Sequence, residues 1–163
     1  MLVLGIDPGT RVVGFGLVRV EGNRLLFVDA GVLRAPRNAP IEQRLAKIAD
    51  DLSELVRRHA PDAAAVEDVF VKVDPQAALA VGLARGAILS VLGRARLEVA
   101  SYPPASVKRS VAGNGRATKA QVARMVAAIL GENGLGEPMD ATDALSVAIA
   151  HALFLGSPIP PRG

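Results

Sequence analysis

The first apolar run of the chain, residues 2–7 with the sequence LVLGID, constrains the fold more than any other feature because it ends on a charge. A short run of branched apolar residues is typical of a strand buried on both faces. A carboxylate buried there without a partner costs several kcal/mol or shifts its pKa until it is neutral. Asp7, which a Pro-Gly turn follows, therefore requires a compensating cation at the end of this strand.

The composition predicts one soluble domain, expected over residues 1–156, with residues 157–163 as a disordered tail. The chain has 163 residues, half of them hydrophobic, which suffices for one packed core. Cysteine is absent, which excludes thiolate metal sites and fits a cytoplasmic location. With no secretion signal and no apolar run near ~18 residues, we expect no membrane partner. A net charge of +3 permits a polyanionic partner without requiring one.

Hydrophobic periodicity predicts an α/β fold in which a five-stranded mixed sheet is flanked by four helices. The expected strands are residues 2–7, 12–20, 24–33, 63–69 and 97–101. The expected helices are residues 41 to about 59, 75 to about 93, 119–130 and 140–155, with an N-cap at Asp74 and a capping box at Thr118 and Gln121. Strands 1–3 are expected to be antiparallel, and helical crossovers add the last two in parallel.

Four carboxylates are expected to meet at one edge of this sheet. If strand 63–69 pairs in parallel beside strand 2–7, Asp7 and Glu67 stand about 5 Å apart where open α/β sheets bind ligands. Asp140 and Asp143, at i and i+3, share one face near the start of the last helix. Asp7 as a turn former and the two helical acids as partners of the helix dipole remain alternatives.

A set of four carboxylates offers hard oxygen ligands, which suit Mg²⁺ or Mn²⁺ better than Zn²⁺. Two divalent ions about 3.5–4 Å apart would compensate four acids and clamp the attacking and leaving oxygens of a phosphodiester. The predicted reaction is therefore in-line hydrolysis of a phosphodiester.

Five segments together resemble the RuvC Holliday junction resolvases of the ribonuclease H-like superfamily. They are GIDPGT at 5–10, VEDVF at 66–70, ALAVGLARGAI at 78–88, VKRSVAGNGRATKAQVARMV at 107–126 and DATDALSVAIAH at 140–151. The resemblance implies a ribonuclease H-like fold and a homodimer that makes paired symmetric nicks in four-way DNA junctions during recombination and repair. It also implies a branch-migration motor as partner. The catalytic and metal-binding acids it implies, with two Mg²⁺ that Mn²⁺ can replace, are Asp7, Glu67, Asp140 and Asp143.

Basic residues and one Phe match such a substrate. The residues expected to contact DNA, with the basic ones assigned to loops or helix starts, are Phe70, Lys72, Lys108, Arg109, Arg116, Lys119 and Arg124. The resemblance assigns activity to Lys108 and Lys119 and base stacking to Phe70, while a solvated surface charge or a core contact is the alternative for each. His151 is left outside the catalytic set.

Small residues recur every four positions at Ala78, Gly82 and Gly86 and form a stripe along one helix face. The stripe is predicted to be the dimer interface, with packing against the chain's own sheet as the alternative. Two other functions stay open at this point. GIDPGT also resembles the phosphate-contacting turn of actin-like and sugar-kinase ATPases, and a non-catalytic DNA-binding module would carry the same basic surface.

Overall fold

A computed structural model describes residues 1–68, 75–132 and 138–155 of the chain. The strands are β1 (Leu2–Asp7), β2 (Val12–Glu21), β3 (Arg24–Arg34), β4 (Ala63–Glu67) and β5 (Glu98–Tyr102). The helices are α1 (Ile41–His59), α2 (Pro75–Arg94), α3 (Pro104–Ala112), α4 (Lys119–Leu130) and α5 (Met139–Leu155).

The five strands form one mixed sheet in the order β3-β2-β1-β4-β5. The first three strands pair antiparallel, whereas β4 pairs in parallel with both β1 and β5. This topology confirms the predicted fold class. Because Ile6 is the partner of Val66 in the parallel ladder, the next residue of each strand, Asp7 and Glu67, arrives at the same edge of the sheet.

The two faces of the sheet are covered differently. On one face, a hydrophobic cluster joins β1, β2 and β4 to α1 and α2 through side chains such as Ile48, Leu52 and Ile88, all fully buried. On the other face lies α5, which is buried along most of its length and contacts β1 and β2 most extensively. Burial on this scale fixes α5 against the strand that carries Asp7.

The structure corrects the sequence-based elements at two points. Residues 104–112 form α3, a helix that the sequence analysis did not assign. Proline is compatible with the first turn of a helix, where its missing N–H has no intrahelical partner. Lys108 and Arg109, which were expected in a loop or at a helix start, therefore lie in the middle of a helix. The expected strand 63–69 ends at Glu67.

The predicted helix ends of α4 are confirmed. Thr118 accepts a hydrogen bond from the backbone N–H of Gln121, whose side chain accepts one from the N–H of Thr118. Gly131 ends the helix in the left-handed conformation at φ 68°. The expected N-cap at Asp74 and the tail at 157–163 lie outside the described residues.

Helix α2 is apolar and largely exposed. It spans 20 residues with a mean hydropathy of 1.5 over its most apolar stretch, and only 17 % of that stretch is buried. By length and composition alone it satisfies the criteria for a membrane span, although the sequence shows a charged residue, Arg85, within it. Leu79 and Leu83 are 67 % and 46 % exposed, so one face of α2 has no apolar partner within the described chain.

Candidate active site

Three carboxylates converge at the edge of the sheet where β1 and β4 end. Asp7 and Glu67 are half-buried neighbours, and each side chain shifts the pKa of the other. Asp143, in the second turn of α5, lines the same cleft and acts electrostatically on both. The predicted juxtaposition of these three acids is therefore present in the fold.

The acids open onto a cleft of about 220 Å³ that also contains two lysines. Its walls come from β1, β4, α3, α4 and α5, and its lining residues are Asp7, Glu67, Pro104, Val107, Lys108, Lys119, Val122, Asp143 and Ser146. Helix α3, which the sequence did not predict, supplies one of the lysines and part of the apolar wall. The cleft thus places negative and positive side chains around one space accessible to solvent.

Asp140, the fourth predicted acid, stands apart from the cleft lining. Its charge raises the pKa of Asp7, but less than the charge of Asp143 does. Within residues 1–68, 75–132 and 138–155, no three acidic, histidine or cysteine side chains form a ready-made metal site. The four acids are therefore neighbours at one edge of the sheet, with three of them around the cleft.

Burial and mutual repulsion raise the pKa of two of these acids. The pKa of Asp7 rises to about 6, first because burial disfavours its charge and then because of Asp143 and Asp140. The pKa of Glu67 rises to about 7, again first through burial and then through the charge of Asp7. Raised pKa values of this kind mean that the ionised forms of Asp7 and Glu67 are not fully compensated by nearby positive charge. A cation in the cleft would stabilise the ionised forms.

Lys119 supplies part of that counter-charge. Its Nζ donates to Oδ2 of Asp143 at 2.6 Å, and this hydrogen bond is the main reason that the pKa of Lys119 is raised. Lys119 is the first residue of α4, so the capping box at Thr118 fixes the backbone from which this lysine reaches the acids. The sequence identified Lys119 as a phosphate contact, but no sequence signal indicated an ion pair with Asp143, which is 24 residues away.

An arginine that the sequence analysis missed holds the residue after Glu67. The Arg85 guanidinium of α2 donates to Oδ1 of Asp68 at 2.8 Å and to the Ser101 hydroxyl at 2.7 Å. The backbone N–H of Asp68 donates to the carbonyl of Tyr102 at 2.9 Å. These contacts fix the chain immediately beyond the acid at the end of β4. Arg85 lies within the quoted segment ALAVGLARGAI, but only the fold brings it to Asp68.

His151 belongs to a buried aromatic cluster. Its Nδ1 lies 2.8 Å from the hydroxyl of Tyr102, whose ring stacks on Phe154 at 5.1 Å. Burial lowers the pKa of His151, so the ring is favoured in its neutral form. These contacts give His151 a packing role on α5, consistent with its place outside the predicted catalytic set.

The sequence of this chain matches the model of a known protein family. The profile described as crossover junction endodeoxyribonuclease RuvC matches residues 3–151. The chain belongs to the RuvC family. Curated RuvC proteins from Burkholderia thailandensis and Azorhizobium caulinodans are 49 % and 44 % identical to it. The alignments cover 93 % and 94 % of this chain and 83 % and 90 % of those proteins.

Solved RuvC structures agree with the family assignment. Thermus thermophilus RuvC in complex with a Holliday junction substrate superposes with a TM-score of 0.89 at 36 % identity, covering 95 % of this chain and 94 % of that one. The fowlpox virus resolvase bound to junction DNA has a TM-score of 0.61 at 10 % identity, covering 96 % and 100 % of the two chains, which shows a shared fold alone. Nucleases of the RuvC family are metal-dependent.

The remaining predicted site residues lie on the surface or outside the described ranges. Arg109, Arg116 and Arg124 are exposed, with Arg124 midway along α4 and not at its start. Phe70 and Lys72 fall within residues 69–74, which the structure does not describe.

The predicted dimer stripe faces away from the sheet. A Cβ built on Gly82 or Gly86 meets no atom within 4 Å, and Ala78 is partly exposed. The alternative that this face packs against the chain's own sheet is therefore wrong. The described part of the chain leaves this side of α2 open to another molecule.

Proposed function

We propose that this chain is a crossover junction endodeoxyribonuclease that resolves four-way DNA junctions by paired symmetric nicks, in the cytoplasm, during recombination and repair. The observation that carries the proposal is the cleft in which Asp7, Glu67 and Asp143 face Lys108 and Lys119, in a chain of the RuvC family. The similar Thermus thermophilus RuvC, whose structure was solved in complex with a Holliday junction substrate, supports the choice of DNA.

The donor set fits divalent cations. All four acids offer oxygen atoms as ligands. The pKa values of Asp7 and Glu67 remain raised although the charge of Lys119 lowers both, so the site has room for further positive charge. We assign two Mg²⁺, replaceable by Mn²⁺, to the four carboxylates Asp7, Glu67, Asp140 and Asp143. When bound, such ions stabilise the charge that develops on the attacking and leaving oxygens of a phosphodiester.

The protein's own residues orient and neutralise the scissile phosphate. Asp7 and Glu67 directly follow Ile6 and Val66, the last pair of the parallel ladder, so the ladder holds the backbone from which both carboxylates extend. With Asp143 serving as a cation ligand, the ammonium of Lys119 would be available to donate a hydrogen bond to a phosphate oxygen. Lys108, which already lowers the pKa of Glu67 through its charge, lines the same cleft. Both lysines are then placed to stabilise transition-state charge.

A synthetic four-way junction tests this function. The wild-type protein should cut it into symmetric nicked duplexes when Mg²⁺ is present and leave it intact in EDTA. Asp143→Asn should abolish cutting while it keeps junction binding, because the carboxylate serves the cations and not the DNA backbone. Asp50→Asn, at an exposed position of α1, is the control.

The junction assay also separates the alternatives. An ATPase would leave the junction unaltered, and a non-catalytic module would only retard it in a gel. Cutting by Asp143→Asn at the wild-type rate would remove this acid from the catalytic set.

We further propose that Phe70, Lys72, Lys108, Arg109, Arg116 and Lys119 contact DNA. The exposed basic side chains support phosphate contacts, and an unstacked base at a junction gives Phe70 a stacking partner. Phe70→Ala should slow the cutting of junctions far more than it weakens binding to linear duplex. An equal loss on both substrates, together with a lower Tm, would instead place Phe70 in the core.

The open face of α2 supports a homodimer, in which each subunit offers one active site to one of two equivalent strands. Gly86→Leu should separate the subunits while each stays folded, so a supercoiled cruciform plasmid would yield nicked circles in place of linear DNA. Sedimentation that shows an intact dimer for this variant would refute the assignment of Ala78, Gly82 and Gly86 to the interface.

Two remaining proposals rest on the sequence. A branch-migration motor is proposed as partner from the family resemblance, and co-sedimentation with the purified motor on a junction tests it. Residues 1–156 are proposed as one nuclease domain with a dispensable tail at 157–163. Removal of that tail should leave junction cutting unchanged.

A further inference from the structure

Three arginines that the DNA-contact predictions did not include line a second, larger cleft. The cleft has a volume of about 650 Å³ and is lined by Arg11, Val12, Arg34, Ala35, Arg37 and Asn38. All three arginines are exposed. Across residues 1–68, 75–132 and 138–155, none of them pairs with a carboxylate, whereas Arg57, Arg58 and Arg85 do. The cleft is therefore a concentration of uncompensated positive charge.

The backbone around this arginine cleft is well fixed. The N–H of Ala35 donates to the carbonyl of Arg11 at 2.9 Å, which joins the turn after β1 to the end of β3. Arg34 is the ladder partner of Val12. A Cβ on Gly9 would overlap the carbonyl of Val12, so the turn that presents Arg11 is tight. The three guanidinium groups thus extend from connected segments and not from separate loops.

The arginine cleft lies at the same end of the sheet as the acids. Asp7 ends β1 four residues before Arg11, and Arg34 ends β3, two strands away from β1. Two strand spacings correspond to about 10 Å. The cleft lies on the β2–β3 side of Asp7, whereas Glu67 lies on the β4 side. The arginine cleft therefore belongs to different elements from the predicted phosphate contacts, which lie on α3 and α4.

We infer that Arg11, Arg34 and Arg37 form a second phosphate-binding surface, which holds the sugar-phosphate backbone of a DNA arm next to the cleavage site. This inference rests on the proposed function. Arginine keeps its charge at all relevant pH values and binds phosphate through a planar, bidentate fork. Such contacts position a duplex without reading its sequence. The surface would fix the direction in which a DNA arm extends from the catalytic acids. It would do so at phosphates that Lys108 and Lys119 are too far away to contact.

The salt dependence of junction binding, measured in EDTA so that no cutting occurs, tests this surface. Arg34→Ala/Arg37→Ala should flatten the slope of log binding constant against log salt by about 2, because each lost phosphate contact contributes about 0.9. The matched control is Arg19→Ala/Arg24→Ala, which removes the same charge from β2 and β3 at the other end of the sheet. The control should keep the wild-type slope. Arg34→Lys/Arg37→Lys should restore most of it.

The outcomes separate this inference from the proposed function. If the wild-type protein neither binds nor cuts the junction, the proposed function fails. If the wild-type protein binds and cuts it while Arg34→Ala/Arg37→Ala keeps the wild-type slope, or shares a reduced slope with the control, only the second surface fails. Should the double variant not fold, Arg11→Ala alone must lower the slope by about 1. Stabilisation of the wild type by inorganic phosphate, with unchanged junction slopes, would indicate a free-anion site and overturn the inference.

Discussion

Two sets of glycines in this molecule have opposite surroundings. In β1 and β2, Gly5, Gly14 and Gly16 lie directly beneath α5, and a Cβ at any of them would overlap helix backbone. In α2, a Cβ on Gly82 or Gly86 meets nothing within 4 Å. The first set permits a helix and a sheet to approach at backbone distance. The second set has no such use within the described chain.

The difference shows which glycines the active site depends on. Gly14 is the ladder partner of Asp7, and a Cβ there would overlap the carbonyl of Asp140. Close approach at this point brings the start of α5, with Asp143, to the end of β1. Glycine inside a helix costs about 0.5–1 kcal/mol relative to alanine, and nothing within the described chain offsets that cost at Gly82 and Gly86. The homodimer proposed for this face of α2 would offset that cost through close contact between two helices.

Gly14→Ala should have the largest effect. The added methyl group would push α5 away from β1, at a cost of about 3 kcal/mol in the free energy of unfolding, since neither backbone can yield. Displacement of the catalytic acids by about 1 Å would lower junction cutting by about 100-fold. Chemical denaturation and single-turnover cleavage measure the two effects. Gly93→Ala, at an open helical position, is the control and should not destabilise the fold.

A Gly14→Ala variant as stable and active as the Gly93→Ala control would contradict the distinction between the glycines beneath α5 and the open glycines of α2. It would show that α5 can shift over the sheet without loss, and that close approach at this glycine does not position the acids.

Asp7→Asn should have an intermediate and opposite effect on stability. The folded-state pKa of Asp7, about 6, lies above the ordinary aspartate value of 3.8, so the folded protein binds this proton more tightly than the unfolded chain. The stability that this proton confers is complete below about pH 4 and is lost as the pH rises through 6. Asparagine avoids that loss. The rise of the Asp7 pKa from 3.8 to about 6 corresponds to about 3 kcal/mol at about 1.4 kcal/mol per pKa unit, and solvent screening of this half-buried carboxylate reduces that figure. In EDTA at pH 8, the variant should therefore be more stable than wild type by about 2 kcal/mol.

The pH dependence and the metal response complete this test. The stability advantage of Asp7→Asn should vanish at pH 4, where the side chain at position 7 is neutral in both folded proteins. Mg²⁺ should stabilise the wild type more than the variant. Thermal melts at the two pH values measure this, with Asp50→Asn as the exposed control. An advantage of equal size at both pH values would mean that burial of Asp7 carries no electrostatic cost.

The comparison also explains how far the sequence predicted the site. The strand that ends at Asp7, its parallel neighbour that ends at Glu67 and the capping box at Thr118 were all predictable, because each rests on local patterning or on a topology rule. The helix α3 was missed because two prolines are typical of a loop as well as of a helix start.

The contacts between distant residues could not be predicted in the same way. The ion pair of Lys119 with Asp143 and that of Arg85 with Asp68 join residues 24 and 17 positions apart. Both depend on how helices lie over the sheet, which hydrophobic periodicity does not specify. The glycine stripe of α2 was visible in the sequence, but only the fold shows that it faces outwards and not towards the sheet.

Gly82→Ala should have the smallest effect, and its sign should depend on protein concentration. In a dissociated chain the alanine favours the helix by about 0.5–1 kcal/mol, as it does in Gly93→Ala. In a dimer that uses the exposed face of α2, the same methyl group would separate two closely approaching backbones, so Gly82→Ala would weaken association whereas Gly93→Ala would not. Thermal melts of both variants across a wide range of concentrations, together with sedimentation equilibrium, measure this difference. Identical behaviour of the two variants at every concentration would mean that Gly82 lies outside any interface, and the cost of its glycine would then have no packing explanation.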